Sequence, residues 1–559
     1  MRLLQLYRIF GLLAALAFNL YPVLSGQSFT SSITGLVTDP SGGAVVAAQV
    51  ELMNMGTNGI QNFTTTNDGS YQFNNLGPGT YQITVTAPGF KKYVKSNLIL
   101  SAQVSATVNI PLEVGGTEQK VEVTGSAVLV DTETANSSAI LDSRLISALP
   151  NGTRNPLNFV FAVAGTTEGP AGATQRNGTF DQNASSFGLN GGRTGEESIL
   201  IDGAPATAID WGGLMVSPLQ DSVQEQQIVT NTYDAQYERG GSGIVTLVTK
   251  GGTNTFHGEA YDYLQNSALN ANSWSNNKYG APKGQFKRNQ FGGNVSGPIL
   301  KRANLFFFGG YEGLRQPNTE DSGLQTVPTQ AQRNGDFSAS LNADGTPNLI
   351  YNPFTTAQLP DGTYTRQPFA GNVIPKNLIN PVGAKMMSLY PLPNRPGQGP
   401  NQINNFFAQG AANSTNDKMD TRVDWEQSSL HRVFVRWSDR FRQDLNHPCF
   451  FCTGADSAVN EHDNGFQVVL NDTVTPSPTW VINTFISYSR WQEAHVAQSF
   501  GVADASTIGL SPSLFQAPIL PGISVENYAG LGVTFGGGFQ KYTRYSNTIG
   551  MNITKYSGS

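Results

Sequence analysis

The sequence predicts a mostly β chain of several modules, and three observations carry that expectation. Only 13% of the 559 residues are charged, while Gly, Asn, Gln, Ser and Thr abound. Ordinary soluble domains carry about 25% charged residues, so this balance suits strands, turns and long polar loops. Period-two alternation recurs along the chain, as in Thr80–Ala87, where Tyr81, Ile83, Val85 and Ala87 oppose Thr80, Gln82, Thr84 and Thr86. That is the mark of a half-buried strand. Glycine turns such as Asp68-Gly69 and Gly77-Pro78-Gly79 separate such runs. The length exceeds what one compact core accommodates. A net charge of −6 without a long basic run argues against nucleic acid as a partner. A secreted all-β protein without membrane contact has the same composition.

Residues 1–26 read as a secretory signal peptide. Arg2 and Arg8 form a positive start, Ile9–Leu20 an apolar run, and Val23-Leu24-Ser25-Gly26 a small-residue exit. The apolar run is shorter than the ~20 residues of a spanning helix. Cys449 and Cys452, in HPCFFC, are the two cysteines of the chain. Export into an oxidising compartment favours a small disulfide loop. A zinc site with His447 or His462 is the alternative, though Cys452 to His462 is loose for a ligand set.

Residues 32–114 form a first all-β module. Ser70–Phe73 places Tyr71 and Phe73 on one face. The string GLVTDPSGGAVVAAQV, followed by NDGSYQFNNLGPGTYQITVTAPGF, resembles the carboxypeptidase regulatory-like domain. That resemblance implies a transthyretin-like β-sandwich, sometimes grouped with carbohydrate-binding-like folds. It implies no catalysis, because no His-x-x-Glu zinc motif is present. Asp39 and Asp68 stand before Pro or Gly and read as turn carboxylates.

A linker, 115–130, follows with glycine near both ends of a short extended run. Then come Ile140–Asn151, which reads as a short helix stopped by Pro150, and the turn strings Leu189-Asn190-Gly191-Gly192-Arg193 and Ser198–Gly203. Glycines 240, 241 and 243 on one side and 251 and 252 on the other bracket the apolar run Ile244–Val248, a strand between tight bends. The whole string YDAQYERGGSGIVTLVTKGGTNTFHG resembles the end of the plug domain in TonB-dependent outer-membrane receptors, in their Oar-like branch. Thr246 departs from the asparagine usual there.

The resemblance implies an α+β plug over 131–252, with Arg193, Asp202, Gly203, Arg239, Gly240 and Gly241 in its motifs. Arg193 and Arg239 are expected either against acidic positions of a barrel wall or in solvated loops. It also makes Val121-Glu122-Val123-Thr124 a candidate TonB box, which would add a strand to TonB. A last sandwich strand or a plain linker is the other reading of that segment.

From about residue 253 the pattern becomes strands of about ten residues with polar loops between, the outer-membrane signature. In Asp417–Glu426, Met419, Thr421, Val423 and Trp425 oppose Lys418, Asp420, Arg422, Asp424 and Glu426. Runs near Phe291, Val433 and Ile549 alternate likewise, and a sandwich with one wet face would do the same. The stretch Gln316–Thr415 is expected as a long extracellular loop. About eight strands are expected, whereas plugged transporters use 22. The barrel over 253–559 is therefore expected to be incomplete, and the chain a C-terminally truncated fragment.

The resemblance implies a receptor in the outer-membrane lipid, with its N-terminal module in the periplasm. Its implied partners are TonB with its inner-membrane energising complex and an extracellular ligand, for which a glycan, peptide or protein all fit. No cofactor is expected and no catalytic constellation stands out, so the chain is not expected to be an enzyme. An exported adhesin that holds a glycan or protein is the competing expectation.

Overall fold

The computed structural model describes residues 30–116, 120–128, 137–168, 187–208, 212–231, 241–280, 282–342, 344–445, 451, 459–477, 479–511, 513, 515, 517–533 and 539–555. The signal peptide, Arg239, Gly240, Cys449 and Cys452 lie outside the described residues.

The first module is a sandwich of two sheets. In one, Ser31–Thr38 pairs antiparallel with Ser70–Leu76 and parallel with Ser105–Thr107 and Ile110–Pro111. The other runs in the order Ile60–Thr64, Gln49–Asn54, Gly79–Thr86, Lys92–Leu100, Lys120–Val128. The alternation seen in the sequence becomes the core: Tyr71, Phe73, Tyr81, Ile83, Val85 and Ala87 are all buried together. Burying the Tyr71 ring requires a partner for its hydroxyl, which donates to the Val108 carbonyl at 2.6 Å. Asp39 and Asp68 hold their own turns: Asp39 accepts from the Ser41 and Gly43 amides, both at 2.8 Å, and Asp68 from the Ser70 amide at 3.1 Å.

The fifth strand of that second sheet lies within the expected linker. Lys120–Val128 runs parallel to Lys92–Leu100, with Tyr93, Val94, Lys95 and Ser96 opposite Val121, Glu122, Val123 and Thr124. The segment is thus an edge strand of the sandwich.

The next module has a five-stranded sheet in the order Ser137–Asp142, Val223–Asn231, Ile244–Thr249, Ser198–Ile201, Ala204–Pro205. Its core gathers Leu157, Phe187, Ile199, Ile201, Ile228, Val245 and Leu247. The helix expected over Ile140–Asn151 is shorter. Ile140 and Leu141 end a strand opposite Gln227 and Gln226, and the helix is Ser143–Ala148. Asp142 sets the boundary by accepting the Leu145 amide at 2.8 Å as N-cap.

The remainder is one antiparallel meander of eight strands, each paired with its sequence neighbour. They are His257–Asn266, Lys287–Leu300, Leu305–Asp321, Gln409–Ser428, His431–Leu445, Val459–Ser477, Trp480–Ala497 and Phe539–Lys555. The first and last do not pair with each other, so the sheet curves without closing, as expected.

Its two faces exclude a sandwich with one wet face. Lys418 and Asp420 are each 3% exposed and Arg436 is 0% exposed, while Met419 is 43% and Trp437 36% exposed. Charge points inward and apolar side chains point out, the inverse of a water-soluble sheet and the arrangement of a lipid-facing barrel.

Tight turns join the strands at one end of the sheet, between Ser428 and His431 and between Ser477 and Trp480. Long excursions leave the other end, at 322–408 and 498–538. Strand pairing trims the expected loop Gln316–Thr415 at both ends, because Asp321 still pairs with Gln409. The excursions also have a shared core: Val327, Tyr390 and Phe406 pack with Ile508, Leu520 and Leu531. The Tyr390 hydroxyl donates to the Ala529 carbonyl at 2.6 Å, tying the two loops together.

Candidate functional site

The inner, charged face of the sheet is where the second module sits, and two ion clusters hold it there. The first is centred on Asp202. The strand Ser198–Ile201 runs parallel to Ile244–Thr249 and then reverses at Asp202-Gly203, both with positive φ (51° and 80°). That reversal pushes the carboxylate out of the module. Fully buried, it accepts the Thr249 amide at 2.8 Å and the Thr249 hydroxyl at 2.6 Å.

Two sheet arginines complete the cluster. Arg422 donates to Asp202 at 3.1 Å and to Asp424 at 2.8 Å, with its guanidinium 3.9 Å from the centre of the Phe434 ring. Arg436 places Nε 3.0 Å from Asp202 Oδ2 and donates to the Ser438 hydroxyl at 2.7 Å and to Gln467. Gln467 in turn donates to the Pro205 carbonyl at 3.0 Å.

The second cluster reverses the polarity. Arg154 comes from the inner module, at a positive φ of 53°. It donates to Glu312 of the sheet at 2.6 Å, pairs with Asp221, and lies over the Tyr261 ring at 4.1 Å. Burial alone would weaken its charge, yet Glu312 and Asp221 hold the guanidinium more firmly protonated than usual. Glu312 is further held by the Tyr261 hydroxyl at 2.9 Å and Gln290 at 3.0 Å. Between the clusters, Asp420 accepts the Leu219 amide at 2.7 Å and the Ser222 hydroxyl.

Of the plug-motif residues, Asp202 and Gly203 stand at this interface and Arg193 does not. The Arg193 side chain is 87% exposed and, among the described residues, pairs with Glu196 at 3.7 Å, which matches the alternative of a solvated loop residue. Arg154 occupies the wall position instead. Gly192 serves backbone approach, since a Cβ there would stand 2.1 Å from the Ser242 Cβ. Gly241 lies beside Glu196. Among the described residues, no group of three His, Cys, Asp or Glu side chains is placed to hold a metal ion.

The sandwich touches the inner module as well. Glu225, buried in the strand Val223–Asn231, accepts the Ala102 amide at 3.0 Å. Burial pushes its carboxyl up to about 7, outweighing the bonds from Ala102 and Ser101, and Asp142 adds repulsion.

A carboxyl that titrates near 7 when docked and at the ordinary 4.5 when free takes up a proton on docking. The contact is therefore strongest below that ordinary value and weakens as pH rises to about 7. Glu225→Gln keeps the acceptor and removes the titration. It is expected to flatten the pH dependence of Ala102 amide protection, read by hydrogen exchange corrected for intrinsic rate. An identical slope in parent and variant would assign the pH dependence elsewhere.

Comparison with known proteins agrees with this architecture. Residues 248–559 match the outer membrane beta barrel domain family, and residues 32–113 match the carboxypeptidase regulatory-like domain. The chain is 26% identical over 296 residues to the TonB-dependent transporter Oar of Myxococcus xanthus, covering 50% of this chain and 26% of that one. It is similar to the outer membrane transporter YddB from Escherichia coli at 9% identity and a TM-score of 0.45, over 76% of this chain and 46% of that one. The siderophore receptor PirA from Acinetobacter baumannii is similar at 12% identity and a TM-score of 0.35, over 64% of this chain and 40% of that one. The chain thus spans about a quarter of the curated relative and under half of each solved structure.

Proposed function

Because the chain belongs to the family of outer membrane β-barrel domains and resides in the cell outer membrane, we propose that it acts in TonB-dependent uptake of an extracellular ligand. The observation that carries this reading is the inverted sheet with a separate module seated on its charged inner face by Asp202 and Arg154. An adhesin has no need of a folded module there, or of ion clusters holding it. In this reading residues 131–252 are the plug, 253–559 belong to the barrel, and 32–114 form a periplasmic sandwich. The two long excursions form the ligand-receiving face, which is supported by the exposed side chains Tyr351, Phe354 and Tyr364. A glycan, peptide or protein suits such a surface.

Val121–Thr124 is the segment that TonB grips. Its strand is the last of the sandwich sheet, so one side pairs with Lys92–Leu100 and the other is a sheet edge, the geometry that strand addition requires. Val123→Pro removes an amide donor and fixes φ at this edge. Binding of a purified TonB periplasmic domain to the full chain in micelles, measured by calorimetry, is expected to fall by about tenfold or more, the loss of one or two backbone hydrogen bonds. The thermal melt of the sandwich is measured alongside. Unchanged affinity with an unchanged melt would leave this strand as part of the sandwich alone.

A further inference from the structure

We propose that the N-terminal sandwich is a detachable lid over the tight-turn mouth of the sheet, and that lifting it is the first movement when the plug opens. The inference rests on the transport reading for its energy source and on the following contacts for its geometry.

The sandwich presents three turns to the mouth. Asn75, at a φ of 58°, turns its carbonyl toward the sheet, where Arg432 donates to it at 2.8 Å. Gly56 accepts the Asn254 amide at 2.9 Å, and the neighbouring Thr57 carbonyl accepts the Asn254 side chain. Ala102 meets Glu225. These anchors fall on the sheet, on the junction that leads into its first strand, and on the inner module.

Together the three modules line a half-open chamber of about 410 Å³. Asn54, Gly56 and Asn75 roof it, Thr249 and Thr253 line one side, and the sheet forms the rest of the lining. Arg422, the residue that grips Asp202, forms part of its wall. A solute or plug segment leaving by the tight-turn end meets the sandwich.

The contacts that hold the lid are mostly polar, and polar groups exchange readily for water on separation. Apart from Ile140, which packs on it, the sandwich core is built from the sandwich's own residues, and the apolar clusters that join the inner module to the sheet, such as Ala204 with Phe434, Val469 and Phe485, contain none of them. Separation therefore exposes little core, as in interfaces between domains that move.

The load path also meets the lid first. The strand Lys120–Val128 is held by parallel pairing along Lys92–Ile99 of the sandwich, and only afterwards does the chain enter the plug at Ser137. Tension applied to Val121–Thr124 acts on the sandwich sheet before it acts on the plug sheet.

The test uses a buried reporter beneath the lid. Thr473 lines the chamber and is 3% exposed. In a Cys449→Ser, Cys452→Ser background, Thr473→Cys is treated with a polyethylene-glycol maleimide in permeabilised cells that keep an energised inner membrane. Labelling is expected to be slow in cells treated with a protonophore and faster in energised ones.

Arg432→Ala, and independently Asn254→Ala, is expected to raise the de-energised rate by about tenfold, as loss of a hydrogen bond to a charged or fixed donor predicts. Uniformly fast labelling of the parent would overturn the lid, because nothing then covers the chamber. Uniformly slow labelling in the parent and both variants, energised or not, would also overturn it. If both variants accelerate labelling while the protonophore and Val123→Pro change nothing, the cover stands and the energy-coupled reading falls.

Discussion

Asp202→Ala is expected to loosen the inner module from the sheet at a cost of about 3–5 kcal/mol, the range for removing one partner of a buried ion pair. The carboxylate is the shared counter-charge of Arg422 and Arg436. Arg422 retains Asp424 at 2.8 Å, so it stays partly compensated. Arg436 is fully buried, and after the substitution its direct hydrogen-bond partners are the neutral Ser438 and Gln467, with Asp420 the carboxylate that still attracts it from nearby. A buried guanidinium that loses its contacting counter-ion dominates the penalty.

The carboxylate also fixes the end of the strand Ile244–Thr249 through the Thr249 amide and hydroxyl, so its loss releases two further buried donors. Asp202→Asn separates the two contributions. An amide oxygen still accepts the Thr249 amide, and the loss should then be smaller than for alanine. Chemical denaturation in micelles, with hydrogen exchange over residues 198–208 and 244–249, measures both variants. A stability change under about 1 kcal/mol for alanine, the level of an ordinary surface pair, would mean that the cluster does not seat the inner module.

The sequence made the sheet legible because lipid-facing strands must alternate, and Met419, Val423 and Trp425 alternate with Asp420, Arg422 and Asp424 without interruption. It did not say which face is inward. That depends on what fills the concave side, and only the docked second module shows that the charged face is the buried one. The Asp202-Gly203 turn was legible for a similar reason, since a left-handed reversal between two apolar strands leaves a local signature. Arg193 shares such a turn string and yet lies in solvent, which shows that a turn motif fixes the backbone and not the side chain's partner.

Other features were hidden because their partners are far away in sequence. The strand Lys120–Val128 is one of the readings the sequence leaves open for its segment, because it is defined by parallel pairing with residues that precede a further sandwich segment, which no local periodicity decides. The shared core of the long loops joins Tyr390 to residues beyond 500, in stretches whose Pro, Gly and Asn content reads locally as plain loop. Glu225 stands in the polar run Gln224–Gln227, and only the docked sandwich makes it a buried acid.

Arg154→Ala is expected to cost a similar ~3–5 kcal/mol by the opposite charge logic. Here the inner module supplies the cation, and its removal leaves Glu312 and Asp221, whose side chains are 4% and 15% exposed, with only the more distant charges of Arg288 and Lys250. Glu312 keeps neutral donors from Tyr261 and Gln290, which solvate but do not neutralise it. The Tyr261 ring loses its cation as well, a smaller contribution of about 0.5–2 kcal/mol.

Arg154→Lys is the informative companion. Lysine restores the charge as a single point, but it cannot span Glu312 and Asp221 with separate nitrogens or stack flat on Tyr261. Partial recovery, roughly midway between alanine and the parent, is therefore expected in the same denaturation experiment. Because residue 154 has a positive φ in all three proteins, the alanine and lysine variants share the backbone cost, and the difference between them isolates the ion pair. Full recovery by lysine would reduce the site to simple charge neutralisation. No recovery at all would show that the fork and the ring contact, rather than the charge, seat this edge of the inner module.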